Sequence, residues 1–283
     1  MNKLQTKDKF QIKFVDSIEQ LNAIEWNEIV GTKNPFMRYE FLHALESTGC
    51  TNKQTGWRPH HVATYTVGRN KSLVAIMPLY LKTNSWGEYV FDWSWANAYK
   101  SYGYQYYPKF VTAAPFTPSA GNRIFIHKKY RGEGLLKLIV EKIKEKAKLI
   151  GASSWHVLFP TEEEHDALGL LGVQPRIATQ FHWQNKGYES FNDFLTFLNS
   201  RKRKSIRKER KYVHDHGITF RRTEGACITE QQWADFYLFY QSTYLMRGMQ
   251  GYLELEFFHV VAETMPEQLV LINAVQGDQD IAA

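Results

Sequence analysis

"NRIFIHKKYRGEGLLKLIVEKIKEKAKLIGASSWHVLFP", Asn122–Pro160, decides the fold. "NRIFIH" reads as a short strand, "KKYRGEG" as a glycine-bearing loop and "SSWHVLFP" as a second strand. Between loop and second strand, Leu136, Ile139, Val140, Ile143, Ala147 and Ile150 recur at helical spacing, and Gly151 supplies the stop. A strand, a glycine loop and a helix in that order leave backbone N–H groups free at the positive end of the helix dipole. "RGEGLL", Arg131–Leu136, therefore suits an anion such as a pyrophosphate, with an ordinary glycine turn as the alternative.

Upstream, "FQIKFV" alternates as a strand, Ser17 starts a helix over "IEQLNAIEWNEIV", and "RYEFLHALESTG" forms a second helix that stops at Gly49. "RPHHVATYTV" and "SLVAIMPLYLKT" read as an antiparallel hairpin turning at Gly68–Lys71. "EYVFDWSW" alternates strictly, which predicts a strand with Tyr89, Phe91, Trp93 and Trp95 on one face and Glu88, Asp92 and Ser94 on or near the other. The aromatic, proline-containing stretch to Gly121 that follows is a loop.

Downstream, "TEEEHDALGLLG" begins with a capping box at Thr161 and Glu164, and "ATQFHWQN" reads as a strand. From Gly187 the pattern restarts. "FNDFLTFLNS" is a helix, "GITFRRT" a strand, "EQQWADFYLFYQSTYLMRG" a helix, and "EQLVLINAVQGDQDIAA" a hairpin whose second strand is expected to be cut short. The order β-α-α-β-β-β-β-α-β-α-β predicts an α/β (α+β) chain with mixed, mostly antiparallel sheets. Its domains are expected over 1–186 and 187–283, the second incomplete.

Composition narrows the class. The 283 residues are 43% hydrophobic and 15% aromatic, enough for a large core, and no apolar run approaches the roughly 20 residues that cross a bilayer. "MNKLQTKDKFQIKF" lacks the apolar region of a signal peptide, so the expected address is the cytoplasm. Cys50 and Cys227 form no Cys-x-x-Cys pair, so two reduced thiols are expected, without a disulfide framework or cysteine zinc site. The net charge is +6, but Arg201, Lys202, Arg203, Lys204, Arg207, Lys208, Arg210 and Lys211 against Glu209 place +7 in one short stretch. The basicity is local. This stretch is expected to be a helix in which Ile206, Tyr212 and Val213 alone are buriable. His214, Asp215 and His216 read as a helix end rather than a metal site. His182 reads as a packed strand histidine, with a cleft base as the alternative.

Two resemblances add to this. "R-G-E-G-L-L" between strand and helix resembles the acyl-CoA motif of GNAT acyltransferases, Gln/Arg-x-x-Gly-x-Gly/Ala. Arg131 and Gly134 match, while Leu136 stands where glycine or alanine is expected and should crowd the approach to phosphate. A closer resemblance, over nearly the whole chain, is to the FemAB-like family, bacterial proteins with two GNAT-like domains in tandem linked to peptidoglycan biosynthesis or recognition. "NPFMRYEFLHALE", "TGWRPHH", "MPLYLKTNSWGEYVFDWSWANAY", "YYPKFVTAAPFTPSAGNR", "LFPTEEE", "QFHWQNKGY", "FLNSRKRKSIRKER" and "YLELEFF" carry it in order.

The resemblance implies transfer of an acyl or aminoacyl group to an amine, with acetyl-CoA, another acyl-CoA or an aminoacyl-tRNA as donor and no metal. It places the cofactor at Arg131, Gly132 and Gly134. Splayed central strands would make the aromatic loop one wall of a cleft. Asp92 or Glu88 is then the candidate base, and Tyr106 or Tyr107 the candidate acid. Trp86, Lys109, Phe116, Thr117 and Arg123 are candidate substrate contacts. Phe91, Trp93 and Trp95 are expected in the core between the domains. Arg203, Lys204 and Arg207 would face a nucleotide-linked cell-wall precursor or tRNA phosphates. Two other readings stand beside this one: a non-catalytic module binding a peptidoglycan-like or other anionic ligand, and nonspecific nucleic-acid binding through the basic helix.

Overall fold

The structure, a computed structural model, describes residues 9–132 and 134–283. Residues 1–8 of the opening segment and Glu133 of the glycine loop lie outside the described residues. The chain forms two compact units, one of residues up to Arg176 together with Tyr252–Met265, the other of Ile177–Gly251 together with Pro266–Ala283.

The first unit runs β1 (Phe10–Val15), α1 (Ala23–Val30), α2 (Tyr39–Ser47), β2 (Trp57–Pro59), β3 (His61–Thr66), β4 (Leu73–Met77), β5 (Tyr80–Lys82), α3 (Trp93–Ser101), β6 (Lys109–Thr112), β7 (Phe125–Ile126), α4 (Leu135–Ile150), β8 (Trp155–Val157) and α5 (Glu162–Gly169). The expected first helix is split. Ile18–Gln20 make one 3-10 turn, and the Asn22 side chain then accepts from the N–H groups of Ile24 and Glu25 to start α1 afresh.

Two four-stranded sheets form, in the orders β1-β3-β4-β7 and β2-β5-β6-β8. Every pairing is antiparallel except β6–β8. The hairpin feeds both sheets because each of its strands is interrupted, one at His60 and the other at Pro78 and Leu79. Pro78 has no N–H for a ladder, so the strand bends there and β5 leaves the first sheet for the second. Leu135, Leu138, Ile139, Val140 and Ile143 of α4 join Phe10, Val62, Val74, Met77 and Phe110 in the main core. The helical spacing read from the sequence is thus what closes this unit.

The second unit contains α6 (Phe191–Thr196), α7 (Ser200–Asp215), β9 (Ile218–Glu224) and α8 (Glu230–Leu245). The chain then returns to the first unit as α9 (Leu255–Thr264), where Phe257 meets Phe41 of α2 edge to face at 5.6 Å. β10 (Val270–Gln276) and β11 (Gln279–Ala282) complete an antiparallel sheet in the order β11-β10-β9.

Four expectations need correction. "EYVFDWSW" is not a strand, since Tyr89 and Phe91 adopt left-handed φ of 59° and 48°, and Asp92 opens α3. Phe91, Trp93 and Trp95 are therefore not core but 76%, 40% and 48% exposed. "ATQFHWQN" pairs with no strand and stays exposed, so His182 is not a packed strand histidine; it meets Gln180 Oε1 at 2.9 Å. On α7, Ile206 and Val213 are half-buried but Tyr212 is exposed, its ring lying over His216 at 4.0 Å.

Candidate functional site

Lys82 at the end of β5 and Lys109 at the start of β6 are register partners, and both side chains are fully buried. Two ammonium groups buried side by side repel unless anions join them. The segment Thr83–Asp92 supplies the anions. Lys109 Nζ donates to Glu88 Oε2 at 2.8 Å and to Asp92 Oδ2 at 2.5 Å, with Ser85 Oγ at 3.2 Å. The Tyr106 hydroxyl donates to the same Asp92 oxygen at 2.5 Å, and Tyr107 OH lies 2.7 Å from Ser85 Oγ. Among the described residues Lys82 makes no such ion pair. Its Nζ sits 3.8 Å from the Trp57 ring centroid and donates to Trp86 O at 3.1 Å and Asn84 Oδ1 at 3.4 Å.

These contacts set the protonation states. Burial, only partly offset by Glu88, brings Lys82 down to about 7. Burial likewise pushes Glu88 up, against the pull of Lys109. Burial works upward on Asp92 as well, but hydrogen bonds from Lys109, Ser85 and Tyr106 outweigh it and hold this carboxyl at about 2. Burial and the Asp92 carboxylate push the Tyr106 phenol far upward. One carboxylate is locked in the charged form and the other is loosely held, which is how neighbouring acids are set apart for different tasks. Glu88 Oε1 and Asp92 Oδ1 are buried without a hydrogen-bond partner.

The backbone here is strained as well. Among the described residues, left-handed φ at non-glycine positions occurs at Tyr89, Phe91, Phe116 and Phe159, and the first two lie between Glu88 and Asp92. Each such residue costs roughly 1–2 kcal/mol, and strain of this kind collects at functional sites. Gly87 (φ 76°) holds the turn against Phe116, where a Cβ would fall 2.5 Å from the ring. Gly87→Ala is expected to destabilise the chain by about 1–3 kcal/mol, from left-handed strain plus overpacking, read as a lower urea midpoint at unchanged m-value.

Beside the cluster, α3 and the turn after it form a groove of about 680 Å³ lined by Ser94, Trp95, Ala98, Tyr99, Tyr102 and Tyr104. The Tyr99 ring stands 5.0 Å from Tyr106. At the other end of β7, Gly134 (φ 73°) is the N-cap of α4 with no side chain capping the first turn, and Gly132 (φ 83°) has open space where a Cβ would stand. Leu136 is half-buried and packs against the main core.

The FemAB-like family, described as peptidoglycan biosynthesis/recognition, matches residues 17–283. The chain belongs to this family. Solved structures similar to it include aminoglycoside 6'-N-acetyltransferase AAC(6')-Ih from Acinetobacter baumannii, 15% identical over 63% of this chain and 99% of that one, with a TM-score of 0.38. Ribosomal-protein-alanine N-acetyltransferase from Brucella melitensis biovar Abortus 2308 is 12% identical over 62% and 99%, with a TM-score of 0.37. Glucosamine-6-phosphate N-acetyltransferase from Arabidopsis thaliana is 11% identical over 62% and 99%, with a TM-score of 0.33. These likenesses are slight, and membership rests on the family match. No curated protein matches the chain. No described helix is long and apolar enough to cross a membrane.

In this FemAB-like chain, Glu88, Asp92, Tyr106, Tyr107 and Lys109 come together although up to 24 residues separate Ser85 from Lys109 in the network. Trp86, half exposed, roofs the cluster through its carbonyl, which also accepts from Trp57 Nε1 at 2.9 Å. Phe116 lies on the other side of Trp57 at 5.4 Å and stacks on Tyr252, while the Thr117 hydroxyl turns back to Pro115 O. Arg123 is elsewhere. Fully buried, it donates to the carbonyls of Leu158, Gly121, Asn122 and Ser119, which pins its loop to β8 and leaves little for a ligand. Arg131 Nε reaches Ile126 O at 3.4 Å. In the second unit, Arg203 donates to Thr196 O and Leu198 O, while Lys204 and Arg207 are exposed on α7. Sequence reasoning missed Lys82, Trp57, Ser85 and His156. Burial, then Lys109, lowers His156 to about 4. Lys82 had a signal, since it shares with Tyr80 the inward face of an alternating apolar strand.

Proposed function

We propose that this FemAB-like chain is an N-acyltransferase built from two GNAT-like domains in tandem, over 1–186 and 187–283, and that Glu88 is the base for the acceptor amine. Attack of a neutral amine on an acyl carbonyl needs a group to take the amine proton and another to return one to the leaving group. Asp92, held at about 2, is too weak a base. Glu88 has both an elevated pKa and a buried oxygen without a partner, and this observation carries the reading. Lys109 fixes its other oxygen at 2.8 Å. Tyr107, half-buried beside Ser85, is the better candidate acid, because the Tyr106 proton is committed to Asp92.

Arg131, Gly132 and Gly134 at the uncapped start of α4 fit the pyrophosphate of an acyl-CoA, which supplies an activated acyl carbonyl when bound. Aminoacyl-tRNA is the other donor, and the exposed cations of α7 suit its phosphates. A cell-wall precursor as acceptor agrees with the family description, and a bacterial, cytoplasmic setting is proposed with it.

The second reading, a module that binds a peptidoglycan-like or other anionic ligand without catalysis, is favoured by the near-complete burial of Glu88 and Asp92. Incubation with acetyl-CoA and a panel of amines, reading released thiol, separates the two. Thiol release by the native chain that Glu88→Gln abolishes supports transfer. Ligand binding by both proteins with no thiol release by either supports recognition.

A further inference from the structure

We propose that the groove along α3 binds a pyranose ring, so that the acceptor is an amino sugar with a free amine; the second clause rests on the acyltransfer reading above. α3 contains no buried residue, so its aromatic side chains are not there to fill a core. Tyr102 and Tyr104, 80% and 70% exposed, leave apolar ring faces in water, which costs free energy unless a ligand covers them.

The rings are held ready. Tyr99 is wedged edge-on between Tyr104 at 6.5 Å and Tyr106 at 5.0 Å, and the Arg176 guanidinium lies 5.0 Å from the Trp95 ring centroid. A preorganised aromatic platform gives up little side-chain entropy on binding. The lining carries no charged side chain, only ring faces, phenols and the Ser94 hydroxyl. That chemistry matches a neutral ring with C–H groups on its faces and hydroxyls on its edge. An anionic lipid surface would call for several cations, and α3 offers Lys100 alone.

The groove also continues into the charged cluster. Tyr99 touches Tyr106, whose hydroxyl binds Asp92, so a ring amine at this end lies one aromatic ring from the Glu88 and Asp92 oxygens that lack partners. A sugar ammonium is drawn toward those carboxylates, and a neutral ring without the amine still stacks.

Isothermal titration with β-1,4-glucosamine tetramer and its fully N-acetylated counterpart tests this, using the native chain, Trp95→Ala and Tyr102→Ala, each checked for an unchanged unfolding midpoint. Both sugars are expected to bind the native chain, and each substitution to weaken both at least tenfold. Absence of binding by either sugar, or equal affinity in both variants, overturns the groove assignment, as does binding to phosphatidylglycerol vesicles in place of the sugars. With acetyl-CoA added, thiol release with the glucosamine tetramer but not with a lysyl peptide supports the amino-sugar acceptor. Release with the peptide alone overturns the amino-sugar acceptor and leaves acyl transfer standing. Sugar binding without release from any amine overturns acyl transfer and leaves the groove assignment standing.

Discussion

Replacing Lys109 by methionine is expected to lower the free energy of unfolding by about 3–5 kcal/mol, because removing one partner of a buried ion pair leaves the other charges uncompensated. Among the described residues, Lys109 alone bonds both Glu88 and Asp92, and all three side chains are buried. The control is a neutral version of the whole cluster. Adding Glu88→Gln and Asp92→Asn to Lys109→Met should recover much of the loss, since the penalty lies in unpaired charge rather than in lost volume. Urea unfolding of the three proteins measures both; a Lys109→Met chain within 1 kcal/mol of the native one, on the scale of exposed pairs, would mean the network is solvated.

The same network gives acid sensitivity a definite sign. Asp92 falls from 3.8 to about 2 on folding, so its stabilisation is complete above about 4 and drains away as pH drops toward 2. In Asp92→Asn that slope between pH 4 and 2 should be absent.

The second large effect is on rate. Glu88→Gln keeps the size and one acceptor of the side chain but cannot take a proton, so acyl transfer should fall by roughly 10²–10⁴-fold. The native pH profile carries the sign. Burial raises Glu88 above its usual 4.5, so the base becomes competent only as pH climbs through that raised value, and kcat/KM should rise with it. Lys82, titrating at about 7, removes a nearby positive charge as pH rises further, which favours the protonated carboxyl and extends the rise toward neutrality. Asp92→Asn should keep this ascending limb but move it to lower pH, because the ionised Asp92 carboxylate is one of the groups that raise Glu88. A profile flat from pH 4 to 8, or a Glu88→Gln rate within threefold of native, would remove Glu88 from the chemistry and return the choice to the recognition reading.

Local pattern fixed some things. The spacing of Leu136, Ile139, Val140 and Ile143 needed only its own turn of helix to declare a buried face, and α4 forms there between two strands. The hairpin around Gly68–Lys71 and the capping residue Thr161 were equally local. The ordered segments from "NPFMRYEFLHALE" to "YLELEFF" carried family membership. The resemblance also named Glu88, Asp92, Tyr106, Tyr107 and Lys109, alongside Trp86, Phe116, Thr117 and Arg123, without saying which of them touch.

Tertiary structure decided the rest. A repeat of two in "EYVFDWSW" fits an extended strand, but left-handed turns at Tyr89 and Phe91 break it and start α3, turning the aromatics outward instead of inward. "ATQFHWQN" alternates equally well, yet a strand needs a neighbouring strand to satisfy its N–H and C=O groups, and among the described residues none pairs with it. Lys82 looked like an end-of-strand lysine until β6 placed Lys109 opposite it and Trp57 beneath it. Periodicity reports which face of an element is buried. Which charge meets which across 21 residues of chain depends on how strands from different parts of the sequence are brought together, and only the folded sheet records that.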